Sequence, residues 1–319
     1  MWLESERMLH PIIEQDGVDT QNEVVKEEKR LRVDNQPYGK FLENVKKHLF
    51  VKHPYRWTTI GEMEHLDAAT LDEFLAFNKK FYVPNNAVLV VAGDIDIDKT
   101  KKMVKEYFGP IPKGKEIERL SIKEDPIKEE LKAEAFDSNI QIPAITTAYR
   151  TPSFKSRESR VLDMISTYLS NGPSSKLYKR LVDEKKMALQ SGAINIAQED
   201  YGMYLIFGLP QGEFKLTDLI TEMDDEIDKL KVKLISERDY QKLLNKFENG
   251  FVSSNASVEG IANSLARYYM LYGDTNLINN EIEIYRSITR EEIRQVANKY
   301  LNTNQRLVLE YLPETDEAN

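Results

Sequence analysis

Four histidines are the first residues to question for chemistry, because imidazole binds metals and exchanges protons near neutral pH: His10, His48, His53 and His65. Zinc peptidases place two histidines one helical turn apart, beside a glutamate that takes a proton from metal-bound water. Glu64-His65 has Gly61 where the other histidine of an inverted motif would stand, so spacing gives no ligand set. All four histidines read as surface or capping residues. Gly172-Pro173-Ser174-Ser175-Lys176 lacks the spacing of a phosphate-binding loop and reads as a turn with a serine helix cap. No serine stands in a Gly-x-Ser-x-Gly frame, which removes a nucleophile elbow. Cysteine is absent, so disulfides, cysteine-ligated zinc and thiol catalysis are excluded, while the compartment stays open.

One carboxylate stands out against an internal repeat. The run from Thr70 to Val90 recurs from Thr289 to Leu309, an offset of 219 positions without a gap. Each copy reads as a capped amphipathic helix, a short Asn-containing turn and an apolar strand, because Thr followed two and three positions later by acidic residues starts helices. The same offset carries Val24, Val25 and Glu28 onto Leu243, Leu244 and Phe247. These positions share one helix face. That face is apolar in the second copy, whereas in the first a carboxylate replaces an aromatic ring. A buried carboxylate needs a metal, a base or an arginine. The flanking run Lys26-Glu27-Glu28-Lys29-Arg30 equally allows a salt-bridged or exposed side chain. Glu28 is the candidate functional residue, with both readings open at this point.

A repeat of this size means two similar domains in tandem, not a solenoid. The second copy starts in the charged stretch after Lys123 and ends near Pro313, and shifting it back places the first copy's start roughly 90 residues before Met1, within ordinary domain size. Met1 therefore reads as an internal position of a longer protein. A first domain without its first half would expose a sheet edge and an apolar helix face. Strands are expected at 87–92, 142–149, 189–197 and 203–209, mixed with long helices. The fold class is α+β, with helices packed on an antiparallel sheet in two similar domains. Residues 1–122 form the C-terminal part of the first, 123–130 a linker carrying Pro126, and 131–319 the second. A length of 319 residues agrees with two domains, and a 41% hydrophobic content supports real cores and excludes a disordered chain. A net charge of −9 with interleaved Lys and Arg excludes a general nucleic-acid binder. No apolar run reaches the ~18 residues that span a bilayer.

Several segments, in order, carry a family resemblance. They are Glu23-Val24-Val25-Lys26-Glu27-Glu28-Lys29-Arg30, His53-Pro54-Tyr55 with Ile60-Gly61, and Phe81-Tyr82-Val83-Pro84-Asn85-Asn86-Ala87 through Val91-Ala92-Gly93-Asp94. Tyr107-Phe108-Gly109-Pro110-Ile111-Pro112 and Asn171-Gly172-Pro173-Ser174-Ser175-Lys176-Leu177-Tyr178 follow. Over essentially the whole chain this set resembles the pitrilysin/insulinase superfamily of zinc peptidases, in its bacterial branch similar to the mitochondrial processing peptidase. The resemblance implies tandem α+β domains and a zinc ion held by a His-x-x-Glu-His motif on an early helix. The third ligand is a glutamate in a Val-Val-x-x-Glu setting, which here is Glu28. The helper glutamate often found seven positions earlier is Gln21 here, and the Arg and Tyr that hold substrate in second domains fall on Val182 and Leu189. Both are departures from the family pattern. The two histidines and the catalytic glutamate are expected upstream of Met1.

For the complete protein the resemblance implies a Zn²⁺-dependent endopeptidase that hydrolyses peptides or unfolded segments. Its chamber would be completed by a second copy or a related partner subunit, and export to the bacterial periplasm or cell envelope is implied for the full-length form. With one ligand of three, residues 1–319 are expected to be inactive alone. The alternative is a non-catalytic partner subunit that binds substrate and completes a peptidase chamber.

Overall fold

The structure, a computed structural model, describes residues 1–314. The expected second domain runs to Asn319, so its residues 315–319 lie outside the described ones. In chain order the elements begin with α1 (Trp2–Leu9), α2 (Gln15–Lys29), α3 (Phe41–Leu49), α4 (Met63–Ala68), α5 (Leu71–Phe81) and α6 (Ile97–Phe108). Then come β1 (Leu131–Asp137), β2 (Ala144–Pro152), α7 (Arg157–Ser170), β3 (Ala188–Ile196) and β4 (Tyr201–Pro210). The chain continues with α8 (Leu216–Val232), α9 (Glu237–Ser254), α10 (Val258–Tyr272), α11 (Leu277–Arg286), α12 (Arg290–Tyr300) and β5 (Arg306–Pro313). They divide between two compact units. Met1–Leu31, Thr59–Ser121 and Val252–Asn279 form the first, and Arg32–Thr58, Ile122–Phe251 and the chain from Asn280 form the second.

The second unit is built on a five-stranded sheet in the order β1-β5-β2-β4-β3. β2 runs antiparallel to β4 and β5, and β3 antiparallel to β4. β1 lies parallel to β5, with Leu131 opposite Leu307, so the sheet is mixed. Side chains alternate between its faces, as a pleated strand requires. Along β4, Tyr204 and Ile206 enter a core with Val161, Leu162 and Ile165 of α7, Met223 and Ile227 of α8, and Ile293 and Val296 of α12. Met203 and Leu205 enter the opposite core with Val45 and Leu49 of α3 and with Phe50. Helices thus cover both faces of the sheet.

The first unit contains no strand among the described residues. Among the described residues its buried apolar side chains are Val18, Val83 and Ile111. The expected strand at 87–92 does not form, because a strand exists only through pairing. Its repeat counterpart, β5, lies between β1 and β2, while Val88, Leu89 and Val91 are exposed. The repeat itself holds through the helix and the turn. The offset carries Leu71–Phe81 onto Arg290–Tyr300 and the single turn Pro84–Asn86 onto Thr303–Gln305. Both helices start in a capping box: Thr70 Oγ1 accepts from Glu73 N at 3.4 Å, and Thr289 Oγ1 accepts from Glu292 N at 3.1 Å. Thr289→Ala is expected to lower the unfolding free energy by about 1 kcal/mol in denaturant titration. An unchanged midpoint would mean that packing alone holds the start of α12.

Candidate functional site

Glu28 lies on α2, and one side of that helix is fastened to residues 61–67. Asn22, Lys26 and Lys29, spaced i, i+4 and i+7, do the fastening. Asn22 Nδ2 donates to the Leu66 carbonyl at 3.1 Å, and Lys29 Nζ to the Gly61 carbonyl at 2.9 Å and to Glu62 at 3.4 Å. Lys26 pairs with Asp67 and with Glu23, and these hydrogen bonds hold its ammonium above the ordinary value. Gly61 supplies the left-handed φ of +75° that the turn requires.

Glu28 itself is half-buried on another side. Helical spacing groups it with Gln21, Val24 and Leu31. Val24 is 53% exposed and Leu31 is 55% exposed, so Glu28 interrupts an exposed apolar stripe. The repeat-related face of α9 is covered. Leu243 is buried, Leu244 packs on the core, and Phe247 stacks on Tyr285 with ring centroids 4.4 Å apart. Among the described residues no group of three or more His, Cys, Asp or Glu gathers to hold a metal. The donors of residues 1–314 therefore do not by themselves fit a zinc ion.

The histidines are dispersed. His10 is exposed beside Glu6 and His65 is exposed. His48 is half-buried, and burial with the neighbouring Lys47 pushes its pKa down. His53 caps a turn, as its Nδ1 accepts from Tyr55 N at 3.2 Å, but it is buried and not on the surface. Its Nε2 meets Asp200 at 3.2 Å, and its ring lies against Tyr55 and Tyr201. The charged stretch read as a linker is anchored at this same place. Glu124 Oε1 accepts from His53 N at 2.6 Å and Lys52 N at 2.7 Å, and Glu124 N donates to the Tyr201 hydroxyl at 3.0 Å. Arg150 donates to the Asp125 and Leu49 carbonyls and faces Glu124 at 3.5 Å. Burial raises the pKa of the Glu124 carboxyl, but the N–H groups of His53, Lys52 and Val51 together with Arg150 outweigh it and hold the group below the usual range.

The Gly172 turn is also richer than its sequence suggests. Neither serine caps the following helix: Ser174 Oγ accepts from Lys242, and Ser175 Oγ has no partner. Lys246 Nζ donates to the Asn171 carbonyl and side chain, and Lys176 pairs with Asp239 at 3.0 Å. Sequence reasoning missed Lys242 and Lys246, whose only signal was their placement one turn apart on α9. Of the two substrate-holding positions that depart from the family, Val182 packs against the core and Leu189 is exposed on β3.

The description "Peptidase M16 inactive domain" matches residues 68–247, more than half of the chain. The chain belongs to the peptidase M16 family, in agreement with the zinc-peptidase resemblance of its motifs. It is 27% identical over 298 residues to the zinc protease PqqE of Helicobacter pylori, covering 92% of this chain and 66% of that protein. The chain thus spans about two thirds of that relative's length. Its fold is similar to the crystal structure of a protease from Helicobacter pylori, with a TM-score of 0.91 and 26% identity over 98% of this chain and 75% of that one. A fold likeness extends to the first half of the periplasmic protease PqqL from Escherichia coli, with a TM-score of 0.75 and 16% identity over 98% of this chain and 69% of that one. Among the described residues no helix is long and apolar enough to cross a membrane.

Proposed function

We propose that these residues work as part of a zinc-dependent metalloendopeptidase that cleaves peptides or unfolded segments. Glu28 is one carboxylate ligand of a zinc ion whose other ligands lie outside residues 1–319. The observation that carries this reading is the stripe on α2. A carboxylate between exposed Val24 and Leu31 interrupts an apolar stripe on a face suited to being covered. The name "zinc protease" borne by the Helicobacter pylori relative supports the choice of metal. A second copy or a related subunit completes the substrate chamber, and the periplasm or cell envelope is the compartment. Residues 1–319 alone, with one ligand, are inactive.

The test uses the longest natural protein that carries this sequence. Glu28→Ala is expected to weaken zinc binding by about 100-fold or more, since even residues behind the ligands cost 10–100-fold. It should also abolish chelator-sensitive cleavage of an unstructured peptide. Unchanged zinc content and cleavage would sink the assignment. So would chelator-sensitive cleavage by purified residues 1–319.

A second reading has its own support: the matching family description is that of the inactive domain, and Gln21, Val182 and Leu189 depart from the family pattern. On this reading the chain is a non-catalytic partner that binds substrate. Glu28→Ala would then change neither metal content nor cleavage, and the chain would raise the activity of a catalytic relative mixed with it.

A further inference from the structure

Two adjoining cavities in the second unit share a wall. The larger, about 330 Å³, lies among α7, α9 and α11 and is lined by Leu244, Phe247, Phe251, Ile282 and Tyr285. That volume is at the lower end of small-ligand pockets. The smaller, about 20 Å³, has room for one water, and its lining includes Ser174, Ser175, Lys176, Asp239 and Lys242. Thr167, Asn171 and Lys246 line both.

The charges around this double cavity do not cancel. Glu281 pairs with Arg160 at 3.0 Å and Glu248 with Arg286 at 2.8 Å, so both carboxylates of the larger cavity are neutralised. Among the described residues no carboxylate contacts Lys242 or Lys246. Lys246 donates to the Asn171 carbonyl at 2.8 Å and to its side-chain oxygen at 2.6 Å, which leaves one N–H of three. Lys242 donates to the neutral Ser174 hydroxyl. Burial and the neighbouring Lys242 hold the Lys246 ammonium below its ordinary value, and the one carboxylate of the smaller cavity, Asp239, is already paired with Lys176 at 3.0 Å while also facing the charge of Lys242. Beside them Ser175, 3% exposed, has an Oγ with no hydrogen-bond partner. Buried hydroxyls are ordinarily paired, so this one points to a group the protein does not supply.

We propose that this double cavity binds the C-terminal residue of a peptide. An aromatic or large aliphatic side chain enters the larger cavity, and the free carboxylate sits on Lys246 at the shared wall and faces Lys242 of the smaller cavity. The small cavity admits one water that joins this carboxylate to the Ser175 hydroxyl. An apolar group beside a single negative charge is chemistry that a fatty acid shares, and the choice of a peptide rests on the peptidase reading. The site uses neither Glu28 nor zinc, so its occupation is separable from catalysis.

Calorimetric titration of the 319-residue chain tests this with three probes: an acetylated pentapeptide ending in Phe as the free acid, the same peptide as its amide, and decanoate. The acid is expected to bind about tenfold more tightly than the amide, the scale of a charge-assisted contact. The double substitution Lys242→Gln and Lys246→Gln should erase that preference and leave amide affinity and thermal unfolding unchanged. Glu28→Ala should leave the preference intact, so failure of the zinc assignment would not disturb this test. Equal binding of acid and amide, no binding of the acid at millimolar concentration, or binding of decanoate without the peptide acid would each overturn the proposal.

Discussion

Backbone amides of α12 are expected to exchange with deuterium about 10²- to 10⁴-fold more slowly than those of α5. The two helices are a matched pair within one chain. Each has 11 residues, each starts in a Thr-Glu capping box, and the 219-residue offset superposes their ends. They differ in what covers them. Ile293 and Val296 are 1% and 4% exposed, whereas their counterparts are a half-exposed Phe74 and a Phe77 that is 57% exposed. Burying one such side chain is worth about 1.5–3 kcal/mol, so the pair separates the helices by about 3–6 kcal/mol. Local opening reports that difference directly, at about 1.4 kcal/mol per factor of ten. Three buried apolar side chains give the first unit little else to rely on. Hydrogen-exchange mass spectrometry on residues 1–319 makes the comparison. Equal protection of α5 and α12 would mean that the first unit needs no covering partner, and would remove the main support for reading Glu28 as part of a face awaiting one.

What could be read from sequence alone was what local chemistry decides. The capping boxes at Thr70 and Thr289, the helix lengths and the strand alternation of β4 depend on residues a few positions apart. The strand expected at 87–92 had equally good local signals and failed, because a strand exists only through pairing and 87–92 finds no paired strand among the described residues. β1 was missed for the opposite reason. Leu131-Lys132-Ala133-Glu134-Ala135 alternates charge with alanine, a weak strand former, and becomes a strand only by pairing with β5 from 176 positions away. Glu28 stood out as a candidate because the repeat supplied an apolar reference for its position. The cavity pair at Asn171 was illegible as a site. Ser175 and Lys246 are each ordinary surface letters, and only the packing of α7 against α9 and α11 gathers a hydroxyl without a partner and two ammonium groups bonded only to neutral oxygens around one cavity. His53 is a turn cap, one of the two roles its sequence allowed, but its burial and the anchoring of Glu124 beside it depend on Tyr201 and Arg150, far away in the chain.

The anchoring of Glu124 leads to the second large effect. Glu124→Ala is expected to destabilise the second unit by about 3 kcal/mol. Its side chain is 2% exposed and Arg150 is 13% exposed, so little water can replace what is lost. Removing the carboxylate strips the acceptor from the N–H groups of Lys52 and His53 and leaves the Arg150 guanidinium without its one buried counter-charge. Arg150 keeps the Asp125 and Leu49 carbonyls, which is why the loss should stop short of unfolding. Glu124→Gln retains one acceptor oxygen and should cost about half as much, which separates charge from hydrogen bonding. The sign of the pH dependence follows from the carboxyl being held below its usual range in the folded state. Its contribution is complete above the unfolded value of about 4.3 and is lost as pH falls through the lower, folded value. Denaturant unfolding should therefore show a constant gap between the protein and Glu124→Gln from neutral pH to about pH 5, closing at more acid pH. A gap that persists or widens below pH 3 would mean that the ionised carboxylate is not what holds this junction, and that its two backbone hydrogen bonds serve equally well when it is protonated.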